Sequence, residues 1–149
     1  METLDFKKQI EASRARVWEV LWGEDTYPKW TSPFCAGSVA ESDWQEGSEI
    51  KFLDAKGSGM LAVIKKKVPG EYMSFVIEGM VDNGKEVREG PSVDDWKGGQ
   101  ENYTLLESGG GTELKVHLTS DGMDPDMLAF FKDAWPKALD KLDELATNT

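Results

Sequence analysis

Hydrophobic and polar residues alternate in short runs along most of this chain, and only the last stretch changes to the period of a helix. From Asp124 to Ala146, the residues Leu128, Phe131, Trp135, Ala138, Leu139, Leu142 and Leu145 recur at spacings of three and four. That spacing puts them on one face of a long helix. Asp133, Lys137, Asp140 and Glu144 fall opposite, and Asp133 precedes Lys137 by four, the favourable ion-pair order. Asp124 before Pro125 marks the start, since the carboxylate accepts free N–H groups and proline suits a first turn. Pro136 removes the bond to the Lys132 carbonyl and predicts a kink, at a cost of up to about 3 kcal/mol. A helix carrying that cost is expected to bend over something broad, such as a curved sheet.

The rest of the chain supplies the sheet. Leu4, Phe6, Lys8 and Ile10 alternate with Asp5, Lys7, Gln9 and Glu11, the period of a half-buried strand. Ser13 then caps a short helix, Arg14 to Trp22, with Val17, Trp18, Leu21 and Trp22 inward, and Gly23 ends it. A second short helical turn is expected within Glu24–Phe34, followed by irregular chain. Strand character begins at Val39 and continues in Ser48–Leu53, Ser58–Val68, Glu71–Val81, Glu101–Glu107 and Thr112–Leu118. Turns fall at Glu46-Gly47, Lys56-Gly57, Pro69-Gly70 and Ser108–Gly111. Asp82–Gln100 shows neither period and reads as one long irregular loop, of the kind that is usually functional or mobile. Trp96 within it must bury against something.

This order predicts an α+β fold of one domain spanning residues 1–149. A curved antiparallel sheet of about six to seven strands would wrap on the long C-terminal helix, with two short helices after the first strand. On strand parity, Ile50, Phe52, Met60, Ala62, Ile64, Met73, Phe75, Ile77, Tyr103, Leu105, Leu114 and Val116 face the helix. Trp30, Phe34, Phe131 and Trp135 would close the space from the helical side. Burying each large apolar side chain is worth roughly 1.5–3 kcal/mol. The same pattern therefore fits a packed core and a ligand-sized cavity alike. The candidate cavity set is Trp30, Phe34, Phe52, Met60, Met73, Phe75, Ile77, Trp96, Tyr103, Phe131 and Trp135. The Asp82–Gln100 loop is its candidate gate.

Composition narrows the partners. The net charge of −11 repels phosphate, which argues against nucleic acid and against anionic membrane surfaces. No apolar leader or eighteen-residue apolar run occurs, so a cytoplasmic protein without membrane insertion is expected, as a monomer or weak homodimer. The single cysteine, Cys35, excludes an internal disulfide and fits a reducing compartment.

Catalytic chemistry is hard to assemble from this chain. The one histidine, His117, shares parity with Glu113 and Lys115 on the solvent face of its strand. Cys35 has no base beside it and is expected to be a buried thiol. One His and one Cys cannot build zinc's usual ligand set, and Asp94-Asp95 and Asp121–Asp126 lack the pattern of a calcium loop, so no metal or cofactor is expected. Gly109–Gly111 lies between two strands and reads as a hairpin, not a phosphate cradle. Tyr103 and Glu78 are the polar groups to watch around the expected cavity. Parity turns Glu78 outward, and so offers no inward acid–base pair.

Several local words carry a family resemblance. They are Ile10-Glu-Ala-Ser-Arg-Ala-Arg-Val-Trp-Glu-Val-Leu21, Tyr27-Pro-Lys-Trp30, Glu46-Gly-Ser-Glu-Ile-Lys-Phe52, Gly111-Thr-Glu-Leu-Lys-Val116 and Trp135-Pro-Lys-Ala-Leu-Asp-Lys-Leu142. In this order the chain resembles the START-like (SRPBCC, helix-grip) superfamily, and most of all the family of the C-terminal domain of the Aha-type heat-shock-protein ATPase activator. The resemblance covers essentially the whole chain and implies the helix-grip fold. The superfamily includes lipid and hormone binders, aromatic polyketide cyclases, oxygenase domains and co-chaperones, so fold does not choose a function. Three readings follow. The first is non-catalytic binding of a small apolar or aromatic molecule between sheet and helix. The second is a co-chaperone-like module contacting a chaperone ATPase, although no separate domain stands ahead of Leu4 as in the eukaryotic activator. The third is a cyclase or hydrolase.

Overall fold

Residues 2–90, 93–94, 96–122 and 124–147 are described by the computed structural model. Strand β1 (Glu2–Ile10) leads into helices α1 (Arg14–Trp22) and α2 (Tyr27–Trp30). Seven strands follow: β2 (Val39–Glu41), β3 (Glu49–Leu53), β4 (Gly59–Val68), β5 (Tyr72–Asp82), β6 (Lys85–Val87), β7 (Gln100–Ser108) and β8 (Gly111–Ser120). The long helix α3 (Pro125–Thr147) comes last. The strands form one sheet in the order β1-β8-β7-β5-β4-β3-β2, with β6 paired to β5 off that path. Its ladders are antiparallel throughout.

The eighth strand corrects the expectation of an irregular Asp82–Gln100. Asn83 and Gly84 both take positive φ, 48° and 83°, which is the geometry of a two-residue hairpin turn. Asp82 accordingly pairs with Lys85 and Met80 with Val87. Three residues are too few to show a period, so the strand is invisible to alternation. The chain beyond it crosses β5 closely: a Cβ on Gly79 would lie 2.4 Å from the Val87 carbonyl oxygen. The Asp94-Asp95 pair considered for calcium lies partly outside the described residues.

Local sequence explains how the helices seat. The Ser13 hydroxyl accepts the Arg16 N–H at 3.2 Å and starts α1, which buries Val17, Val20 and Leu21 and half-buries Trp18 and Trp22. At α3 the Asp124 carboxylate accepts the Met127 N–H at 2.8 Å. Helix α3 runs through Pro136, whose side chain is exposed. Its buried residues, Ala134, Trp135, Ala138, Leu139, Leu142 and Ala146, run from the middle of the helix through its C-terminal half. That half is also tied down by polar bonds, from Lys8 to Asp140 at 2.7 Å and from the Arg16 guanidinium to the Leu145 carbonyl at 3.0 Å. The N-terminal half is held less. Phe130 there is 45% exposed, and Met127, Leu128 and Phe131 are half-buried. Register shifts in the β4–β5 ladder at Leu61/Ala62 and Ile64/Lys66 add the local twist that lets a sheet curl. No helix among the described residues is long and apolar enough to cross a membrane.

Candidate functional site

Between the sheet and the N-terminal half of α3 lies a cavity of about 320 Å³. It reaches the surface, because the exposed Cys35 is among its lining residues. Helix α3 supplies Phe131 and Trp135, four residues apart and therefore on one face. The short helix α2 supplies Tyr27 and Trp30, and Trp30 is fixed by donating its indole N–H to the Leu21 carbonyl at 3.1 Å. The sheet supplies Phe52 and Met60, which face each other across β3 and β4, together with Ile77 and Tyr103. Phe34 closes against Trp135, with ring centroids 4.9 Å apart and edge to face. Trp96 completes the wall, and its ring packs on Gly122, where a Cβ would sit 2.8 Å from the indole.

Nine of the eleven residues expected at the cavity thus lie on its wall. Met73 and Phe75 do not. Both face inward but are buried, at 0% and 1% exposure. Phe75 makes edge-to-face contacts with Trp22, Phe52 and Tyr103 and supports the wall from behind. Parity fixes which face a side chain takes, not how deep it lies. Cys35 is a second correction: it is exposed rather than buried, because it sits in an aperiodic turn after α2 that no strand or helix covers. His117 lies away from the cavity, half-exposed beside Asp5 on β1.

The group missed from sequence is Glu101. It precedes Tyr103 by two on β7 and so shares its face. It stands opposite Leu118 on β8 and Phe75 on β5, so its backbone neighbours are apolar on both sides. The Tyr103 hydroxyl donates to Glu101 Oε1. Burial raises the Glu101 pKa, and the Tyr103 hydrogen bond opposes that rise by favouring the carboxylate. The Tyr103 phenol is pushed well above its ordinary value by burial and then by the charge of Glu101. The Tyr27 phenol is raised for the same two reasons. Both phenols therefore stay protonated as donors across the physiological range. An inward carboxyl–phenol pair does exist, against the expectation from parity that centred on Glu78. The signal was present in the sequence, in the alternation Glu101–Tyr103–Leu105.

The remainder of the lining is mixed near the mouth. Asp54 in the β3–β4 turn accepts the N–H groups of Lys56 and Ser58 at 2.8 and 3.0 Å, and these bonds lower its pKa. Asp54 and Glu101 are the charged residues of the lining, and no lysine, arginine or histidine joins them among the described residues.

Comparison with known proteins places this geometry. The family model described as Activator of Hsp90 ATPase homolog 1-like protein matches residues 11–147. No curated protein sequence matches the chain. Among solved structures, the Aha1 dimer from Colwellia psychrerythraea aligns with a TM-score of 0.76 at 18% identity, over 99% of this chain and 98% of that one. Protein MLL2253 from Mesorhizobium loti aligns at 0.72 and 18% over the same shares. CalU16 from Micromonospora echinospora aligns at 0.68 and 17%, over 98% of this chain and 76% of that one. At such identities the structures show a common fold and nothing finer.

Proposed function

The chain belongs to the Activator of Hsp90 ATPase homolog 1-like family, with the START-like helix-grip fold, and from that premise we propose that it binds a small, largely apolar ligand between sheet and helix. Membership itself supports a ligand-binding or co-chaperone-like module in general. The observation that carries the narrower reading is the cavity: about 320 Å³, walled by aromatic rings, with a part-buried carboxyl–phenol pair on its wall. A space of this kind is the usual form of a small-molecule site, mostly apolar with a few placed polar groups. An interior evolved only for packing would fill it, because each unfilled void costs contacts.

Native mass spectrometry of freshly purified protein, read beside the denatured mass, tests this. A non-covalent adduct of a few hundred daltons, lost on denaturation, is the expected result. Replacing Ile77 by Trp, which projects an indole into the cavity from β5, should abolish the adduct. An adduct that survives the filling substitution would refute binding at this site.

The second reading, contact with a chaperone ATPase, is favoured by family membership and by Phe130, exposed in the less firmly held half of α3. It predicts that the purified protein changes a chaperone's ATPase rate and that Phe130→Ser removes the effect. An unchanged rate would count against it.

A further inference from the structure

Resting on the cavity reading, we infer that the ligand is a cation: a protonated amine on an apolar, ring-bearing body, seated with its nitrogen at Glu101. Three observations meet there: a carboxylate with an oxygen to spare, a lining without counter-charge, and a wall of rings. Among the described residues the donor at Glu101 is the Tyr103 hydroxyl, on Oε1, which leaves Oε2 for a guest. Among the described residues, the lining contains two carboxylates and no basic side chain. A charge held in a low-dielectric space without a partner is costly, and for that reason the Glu101 carboxyl holds its proton more readily than in water; a bound cation supplies the partner that the proton otherwise provides.

The walls fit the same guest. Rings of Tyr27, Trp30, Phe34, Phe52, Phe131 and Trp135 surround the space, and a cation against such faces is attracted by the ring quadrupoles. The tyrosine pair stays protonated, so neither phenol competes with Glu101 for the positive charge as an anion would. Asp54 on the same lining adds a second carboxylate. The whole chain carries −11, which draws cations inward and repels fatty acids, phenolates and phosphates. A carboxylate-bearing lipid would place two negative groups in one apolar space. The chemistry therefore selects amines and rejects acids.

Isothermal titration of the full chain at neutral pH with 1-naphthylmethylamine, 1-naphthalenemethanol and 1-naphthoate tests this, because the three probes share a body and differ in the head group. The amine should bind at least about tenfold tighter than the alcohol, equivalent to about 1.4 kcal/mol, and the naphthoate should give only heats of dilution. Glu101→Gln should bring the amine within about twofold of the alcohol while leaving the alcohol's affinity in place. If the alcohol or the naphthoate binds as tightly as the amine, the cation inference fails while the cavity reading stands. If none of the three binds and the native mass shows no adduct, the cavity reading fails and takes this inference with it. Should Glu101→Gln not fold, the head-group series on the unaltered chain still decides, since it needs no variant.

Discussion

Trp135→Ala should be the most informative single change to the fold. Trp135 is 4% exposed and stands where helix, sheet and α2 meet. Its ring lies 4.9 Å from Phe34, 5.8 Å from Phe6, and 6.1 Å from both Trp30 and Tyr103. A buried tryptophan removes on the order of 150–250 Å² from water. At about 25 cal/mol per Å², that corresponds to roughly 4–6 kcal/mol. Two effects trim this figure. Alanine retains part of the area, and the space vacated joins a cavity already connected to solvent, so water can occupy some of it. The expected loss is about 4 kcal/mol, within the range of roughly 3–5 for such truncations. For a chain of this length that is on the order of a 10–15 °C fall in Tm. Urea denaturation followed by far-ultraviolet circular dichroism measures it, and the m-value should not change. Trp135→Phe keeps a ring in place and should lose less than half as much. A loss under about 1 kcal/mol for Trp135→Ala would mean that the ring does not wedge helix to sheet, and its central place in the core would be refuted.

Two further changes test other parts of the structure. Glu101 has a raised folded pKa, so the folded chain holds a proton that the unfolded chain releases above its ordinary value of 4.5. Stability from this group is therefore greatest below that value and is lost as pH rises through the raised one. The stability difference between Glu101→Gln and the unaltered chain should move in favour of the variant as pH rises from acid to neutral; parallel pH profiles would show that Glu101 is not desolvated. Pro136→Ala restores the N–H that can bond the Lys132 carbonyl and, because the site is exposed, should stabilise the chain by about 1–2 kcal/mol in denaturant titration. A loss of stability instead would mean that the proline sets a bend on which the packing of α3 depends.

Much of this architecture is legible in the sequence because burial imposes a period. The apolar stripe of α3 and the inward parity of β3, β4, β5 and β8 could be read directly, since each such element has one face against the core. Depth is another matter. Met73 and Phe75 have the same parity as Ile77, yet only Ile77 reaches the void; Phe75 lies behind the rings of Trp22, Phe52 and Tyr103. Segments without a period hid the rest. Cys35 lies in a turn where exposure is set by what happens to pack nearby, and Lys85–Val87 is fixed by its Asn-Gly turn rather than by its own side chains. Glu101 was overlooked for a different reason. It stands near the end of its strand, where a charged residue reads as a solvent-facing terminus, whereas the ladder continues past it to Gln100 on both sides.

The ladder between β1 and β8 has a consequence for how the chain is made. Every residue of β1 from Glu2 to Ile10 pairs with β8, so β1 leaves the ribosome long before the strand it needs. Translation at roughly 5–20 residues per second makes that wait on the order of ten seconds. During it the alternating apolar face and the bare backbone edge of β1 lack the neighbour they finally take. The loop that must close is long, and closure of such non-local pairings takes roughly milliseconds to seconds once both strands are present. The central hairpin of β4 and β5 can form early. The sheet is completed late, because β1 and α3 dock only after β8 has emerged.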